Sequence, residues 1–287
     1  MIKILTFLLA ALLFLAGCSL LGTEDGTAFH ALIVGIDEYI DDNVPDLKWC
    51  VSDANGMRQS LLQHGWKDEE ITLLLDGEAT KDRILSEVSS IAETCGTGDY
   101  ILIYYSGHGT YISDSGGDES DGSDEAIIPV DFDSGDPSTL LLDDELGSAV
   151  SQCRTEKGIF IFDSCNSGGF IASSLAEGSG MRSRYVETAG MRGTGSSGDL
   201  DIVNVPVMAA SGEYEYSIED DLIKHGVFTY YLLDGLSGLT ADKNVDGYIS
   251  IRELFDHAEI QTEYYTIHNQ HPQLRFSREF LDILITR

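Results

Sequence analysis

Four short, almost wholly apolar runs constrain this chain most: Ala31–Ile36, Tyr100–Tyr105, Ile159–Phe162 and Val205–Ala209. Each is brief and ends in turn or small residues. Strands that read this way are buried on both faces, as in a parallel sheet. Ile71–Leu75 reads as a fifth strand. Helical patterns lie between them. Ser52–His64 carries Met57, Leu61 and Leu62 and stops at Gly65; Lys81–Cys95 lines up Ile84, Leu85, Val88 and Ile91 and stops at Gly96. Asp143–Cys153 and Val227–Leu236 complete the set. This alternation predicts an α/β fold with a mostly parallel central sheet and helices on both faces.

Charge narrows the function. Forty-nine acids against 17 bases leave a net charge of −32 in 287 residues. Phosphate contacts need Lys and Arg, so nucleic acid is excluded as a partner. Basic substrates or divalent cations fit better, and a solvated acidic surface reads the same way. The start of the chain, Met1-Ile-Lys-Ile and an apolar run from Leu5 to Ala16, has the form of an export signal, too short for a transmembrane helix. Leu15-Ala16-Gly17-Cys18 resembles a bacterial lipobox, which makes 1–18 a lipoprotein signal with Cys18 lipidated and 19–28 a tether. A lipid-anchored protein of the bacterial cell envelope is therefore expected, and Ser19 after the cysteine points to the outer membrane. Cys95 and Cys153 could form a disulfide in an exported chain, or both could stay thiols.

Two segments break the pattern: the Asp-, Ser- and Gly-rich stretch Ser113–Asp136, and Ala176–Asp201, which holds Arg182, Arg184 and Arg192. Loops of such length inside a domain are functional or disordered. There is no internal repeat.

Two motifs carry chemistry. Tyr104-Tyr-Ser-Gly-His108-Gly follows one apolar run and Asp163-Ser-Cys165-Asn-Ser-Gly-Gly follows another. Both sit at carboxyl ends of expected strands, where open α/β sheets place their sites. A thiol beside an imidazole is the pairing for thiolate attack on an acyl carbon. From about Phe29 to the end, the chain resembles the caspase-like cysteine peptidases, nearest to bacterial metacaspase-like proteins. The resemblance implies a three-layer caspase-like fold over 29–287, with a large part at about 29–175, a linker at 176–201 and a small part at about 202–287. It implies Cys165 as nucleophile, His108 as its base and acid, and Gly109 and Cys165 N–H groups as the oxyanion hole. Asn166 departs from the family, where His often follows the nucleophile.

The Gln-Ala-Cys motif of caspases proper is absent. Instead Asp163 and the segment Trp49-Cys50-Val-Ser-Asp53 match metacaspase positions. By resemblance Asp53, Asp163, Ser106 and Cys50 line the pocket for the residue before the cut, and two carboxylates there suit Arg or Lys. Read alone, Asp53 could be a helix N-cap and Asp163 a solvated turn residue. The linker arginines Arg182, Arg184 and Arg192 become candidate self-cleavage sites.

The chemistry requires no cofactor, but calcium is a candidate at two places. Asp242, Asn244, Asp246, Tyr248 (through its carbonyl) and Glu253 follow the spacing of an EF-hand loop, although an Asp/Gly-rich turn before a helix gives a similar string. By resemblance Asp124, Asp143 and Asp144 match an activating calcium site, in which Ala172 stands where a further Asp is expected. The oligomeric state is not legible. A caspase-like scaffold without activity is the competing expectation.

Overall fold

The computed structural model describes residues 26–113, 123–155, 157–164, 181–183, 206–212, 215–275 and 285–286. The first apolar run folds as β1 (Phe29–Gly35) and leads through a long loop into α1 (Cys50–Gln63). Then follow β2 (Ile71–Leu75), α2 (Lys81–Thr94) and β3 (Tyr100–Ser106). The Thr80 hydroxyl accepts the Arg83 N–H at 3.2 Å and so caps α2. A hairpin follows, β4 (Gly109–Ser113) and β5 (Ser123–Ile127), then β6 (Leu141–Leu142), α3 (Asp143–Val150) and β7 (Lys157–Asp163). Beyond β7 come β8 (Met181–Ser183), β9 (Val207–Ala209), β10 (Ile218–Asp220), β11 (His225–Gly226), α4 (Val227–Leu236), α5 (Ile251–Tyr265) and β12 (Gln273–Arg275).

The main sheet has the order β12-β9-β7-β3-β1-β2. All its pairs are parallel except β12 on β9. The large part supplies four of its strands and the small part β9 and β12, so both parts share one sheet. Its two faces are both covered. Ile33, Leu102, Tyr104 and Ile161 pack against Met57 and Leu61 of α1, Phe228 and Leu232 of α4 and Leu254 of α5. On the other face Leu32, Val34, Ile103, Tyr105 and Phe160 pack against Ile84 and Val88 of α2 and Leu146 and Val150 of α3. The near-continuous apolar strands follow from this double burial. Two small antiparallel sheets, β4-β5-β6 and β11-β10-β8, flank the main one. Their strands run only two to five residues, too short to leave a periodic signature.

From β1 the chain crosses to β2 on one side and then to β3 on the other, which opens a crevice at the carboxyl ends of β1 and β3. Gly35 lets α1 reach it: a Cβ there would lie 2.5 Å from the Cys50 carbonyl oxygen and 2.7 Å from Ala54 Cβ.

Among the described residues no helix is long and apolar enough to cross a membrane. Cys50, Cys95 and Cys153 are free thiols, so of the two expectations for Cys95 and Cys153 the structure has the unbridged one. Burial and the neighbouring Cys153 side chain push the Cys95 thiol well up. The signal segment 1–18, Cys18 and most of the tether lie outside the described residues.

Candidate active site

β3 and β7 run in parallel register, with Tyr104 beside Ile161 and Ser106 beside Asp163. Both strands end at the same edge of the sheet, and parallel neighbours lie roughly 5 Å apart. His108 is two residues past Ser106. Cys165 is two residues past Asp163 in the sequence and lies outside the described residues.

His108 is buried, at 1% exposure, and its ring is held from several sides. Nε2 lies 2.7 Å from the Pro45 carbonyl oxygen. A carbonyl only accepts, so Nε2 carries the proton and the neutral ring keeps its lone pair on Nδ1. The His108 N–H donates to the Tyr39 hydroxyl at 2.9 Å, and the two rings sit 5.0 Å apart. The His108 carbonyl accepts the Tyr105 hydroxyl at 2.8 Å and the Ile128 N–H at 3.0 Å. Burial, then the nearby Tyr105, raise the Tyr39 phenol well above its ordinary range, so it stays protonated. Gly107 is required here, since a Cβ would meet the Tyr105 hydroxyl at 2.4 Å.

Gly109 opens β4 and pairs with Ile127. The Ile128 N–H to His108 carbonyl bond makes positions 108 and 128 hydrogen-bonded partners. In an antiparallel ladder the adjacent Gly109–Ile127 pair is then the non-bonded kind, and the Gly109 N–H points away from β5. That orientation fits an oxyanion donor.

The four pocket residues named from the sequence converge. Asp53 and Asp163 are both at 0% exposure, so neither is a solvated turn residue, and α1 begins at Cys50, so Asp53 is no N-cap. The Ser106 hydroxyl donates to Asp53 Oδ2 at 2.9 Å, and the Gly226 N–H reaches both Asp53 oxygens at 3.1 Å. Asp163 accepts the Ser217 hydroxyl at 2.5 Å, and the Thr229 N–H and hydroxyl at 3.1 and 2.6 Å. Cys50 is buried, and its N–H donates to Asp37 Oδ1 at 2.7 Å.

Sequence reasoning missed other members of this site. Pro45 gives only a backbone oxygen. Asp37 stands at the end of β1, where burial pushes its carboxyl up to about 6. Glu219 is buried on β10, and its Oε2 accepts the Lys48 and Trp49 N–H groups at 3.2 and 3.1 Å. Asp221 binds the Lys48 ammonium at 3.0 Å and the Trp49 indole N–H at 2.9 Å. Ser217, His225 and Thr229 hold the two pocket aspartates from the far end of the chain. None of these carried a motif, and Ser217, Glu219, His225 and Thr229 arrive on or beside β10, β11 and α4, which bond to the start of α1 and the end of β7.

Of the linker arginines, Arg182 has a described backbone: β8 pairs antiparallel with β10, and Arg182 stands opposite Glu219. Arg184 and Arg192 lie outside the described residues.

The metal candidates fare unevenly. Among the described residues no group of three or more His, Cys, Asp or Glu side chains is arranged to hold a metal ion. In the 242–253 loop, Asp242 accepts the Asp246 and Gly247 N–H groups at 3.2 and 2.9 Å, Asn244 the Asp246 N–H at 2.8 Å and Asp246 the Tyr248 N–H at 2.9 Å. Glu253 turns Oε1 to the Lys243 and Asn244 N–H groups, both at 3.2 Å, and Oε2 to Ser250, where it completes a capping box for α5. These side chains organise the turn through their bonds to its N–H groups. At the second place, β5 pairs with β6 up to Ala126 opposite Leu142, and Asp143 and Asp144 open α3 just beyond it. The Asp124 side chain and Ala172 lie outside the described residues.

The family described as "Metacaspase, peptidase C14 domain" matches residues 30–174, half of the chain. Metacaspase-6 of Arabidopsis thaliana is 34% identical over 152 residues, which cover 50% of this chain and 39% of that protein. Metacaspase-1 of Mycosarcoma maydis is 32% identical over 149 residues, covering 48% and 35%. The chain thus matches less than half the length of either relative. Protein GSU0716 from Geobacter sulfurreducens, a crystal structure, superposes with a TM-score of 0.65 at 20% identity, over 89% of this chain and 97% of that one, a likeness of fold. The matched segment takes in both strand-end motifs, and the chain belongs to the metacaspase family of C14 peptidases.

Proposed function

We propose that the protein is a cysteine endopeptidase that cuts peptide bonds after Arg or Lys. The observation that carries the mechanism is the bond from His108 Nε2–H to the Pro45 carbonyl at 2.7 Å. It fixes the tautomer and leaves Nδ1 to accept the Cys165 thiol proton. The thiolate attacks the carbonyl carbon of the substrate residue before the cut. The oxygen becomes negative against the N–H groups of Gly109 and Cys165. The C–N bond then breaks, the leaving amine takes the proton from His108 and a thioester remains. A water molecule, deprotonated by His108, hydrolyses the thioester and restores the thiol.

The buried carboxylates Asp53 and Asp163, with Asp37 and Glu219 close by, support a cationic side chain in the pocket. The site is pre-organised by fixed donors, so a guanidinium or ammonium group enters without rearranging them. The position of Arg182 opposite Glu219 supports self-processing there, with Arg184 and Arg192 as further candidates. An extended strand lying along β10 is the form in which a peptide adds to a sheet edge. A lipid anchor at Cys18 would hold the domain at the cell envelope.

The reading is tested with reporter peptides bearing Arg, Lys or Asp before the cut, on wild type and Cys165→Ala, with and without calcium. Arg and Lys peptides are expected to be cleaved by wild type alone. Cleavage after Asp refutes the pocket assignment, and no cleavage of any peptide favours a scaffold without activity.

A further inference from the structure

We infer that His225 sets the charge of the substrate pocket, and with it the affinity for a basic side chain. The inference rests on the reading of Asp53 as a receptor for Arg or Lys. His225 belongs to β11, which pairs with β10 so that His225 stands opposite Asp220. Its Nδ1 lies 2.8 Å from Asp53 Oδ1. A carboxylate accepts, so Nδ1 carries a proton in both states of the ring, and the ring gains its charge at Nε2. The His225 side chain is 21% exposed while that of Asp53 is 0%, so protons from solvent reach the imidazole, and the carboxylate it faces is out of water. Gly56 of α1 lets Leu233 of α4 pack close, since a Cβ there would lie 2.6 Å from Leu233 Cδ1, and the His225 ring lies at ordinary contact distance beside it.

The groups around the ring are few in kind. Asp53 faces it from α1, and Ser106 of β3 reaches it only through Asp53. Tyr230 of α4 lies with its ring centre 6.1 Å away. On the hairpin, Asp220 accepts the Leu222 N–H and the Tyr265 hydroxyl, and the Lys224 ammonium sits 5.9 Å over the Trp49 ring. The direct ionic partner of the imidazole is therefore the pocket carboxylate itself. A neutral His225 leaves Asp53 as a full anion for the incoming cation. A protonated His225 already compensates Asp53 and repels a second cation. By linkage, binding of a basic side chain expels the proton from His225.

Two positive charges about 7 Å apart at an effective dielectric of about 20 repel by more than a factor of ten, and partial exposure brings the expected effect to roughly tenfold. The test measures the affinity of Cys165→Ala for an arginyl peptide at pH 7.5 and 5.5, and that of the same protein carrying His225→Gln or His225→Asn. The citrulline peptide, neutral and of the same shape, is the control. Affinity for the arginyl peptide is expected to fall about tenfold on acidification with His225 present and about threefold or less without it, the remainder coming from Asp37. Citrulline binding is expected to be flat. Equal falls with and without His225, or no fall in either, overturn the inference. If the arginyl peptide binds no better than citrulline at pH 7.5 in any variant, the pocket reading fails and this inference with it.

Discussion

Asp163→Asn separates the pocket's charge from its shape. The side chain is at 0% exposure and accepts from the Ser217 hydroxyl at 2.5 Å and from the Thr229 N–H and hydroxyl at 3.1 and 2.6 Å. Asparagine keeps the outline and one acceptor oxygen, which suits Thr229. Its amide nitrogen then faces Ser217, whose hydroxyl can turn to accept. The fold is expected to lose about one hydrogen bond, roughly 1 kcal/mol. A bound guanidinium loses more. Removing one partner of a buried, hydrogen-bonded charge pair costs about 2–5 kcal/mol. At about 1.4 kcal/mol per decade, kcat/KM for an arginyl reporter is expected to fall about 30-fold to 4,000-fold. A citrulline reporter, lacking the charge, is expected to change by less than about threefold. Steady-state kinetics on both reporters, with a thermal melt of each protein, measure this. Equal losses on the two reporters, or an arginyl rate within about threefold of wild type, would refute a charge role for Asp163.

Four further outcomes follow from the geometry. Gly35→Ala drives a methyl group into the Cys50 carbonyl, so α1 must shift; melting is expected to show a loss of about 1–3 kcal/mol, and the arginyl KM to rise with it. Asp37 has its carboxyl raised by burial to about 6, above its unfolded value, so the folded state binds the extra proton between about 4 and 6 and stability falls as pH rises through that window. Asp37→Asn is therefore expected to stabilise by about 1 kcal/mol above pH 7, after allowance for solvent screening, and to match wild type below about pH 4 in denaturant titrations. Glu253→Ala removes the acceptor for Lys243, Asn244 and Ser250, and Tm is expected to drop by about 2–4 °C whether or not calcium is present. Burial would raise the Glu253 carboxyl, but the bonds from Ser250, Asn244 and Lys243 outweigh it and hold it below its ordinary value. Chelation is expected to change peptidase activity by less than about twofold at micromolar calcium, because Ala172 leaves the Asp124, Asp143 and Asp144 set one ligand short and sites poor in charged ligands bind at about millimolar concentration.

The central sheet was legible because double burial makes a strand apolar along its length. Ile71–Leu75 has its expected limits, and β1, β3 and β7 differ from expectation by one or two residues at their ends. Helix limits shifted for local reasons: α1 begins at Cys50, because Asp37 and Glu219 take up the N–H groups at its entrance, and α3 ends at Val150. The two flanking sheets were not legible, since strands as short as His225–Gly226 carry no period. His108, Asp53, Ser106 and Asp163 were readable from motifs close in sequence to the strands that carry them. Pro45, Glu219, His225 and Thr229 were not. A backbone carbonyl has no residue signature, and the other three reach the site through contacts spanning 66 to 172 positions. The EF-hand spacing is ambiguous in sequence because an Asx-rich turn and a capping box use the same residues at the same intervals as a calcium loop.

The most direct measurement is the mass of the intact protein after incubation with an arginyl halomethyl ketone, followed by mapping of the modified peptide. An arginyl group on Cys165, formed by wild type, abolished by His108→Ala and slowed at least about 30-fold by Asp163→Asn, is the predicted result. Modification at another cysteine, or labelling of Cys165 at the same rate without His108 or with an aspartyl reagent, would contradict it.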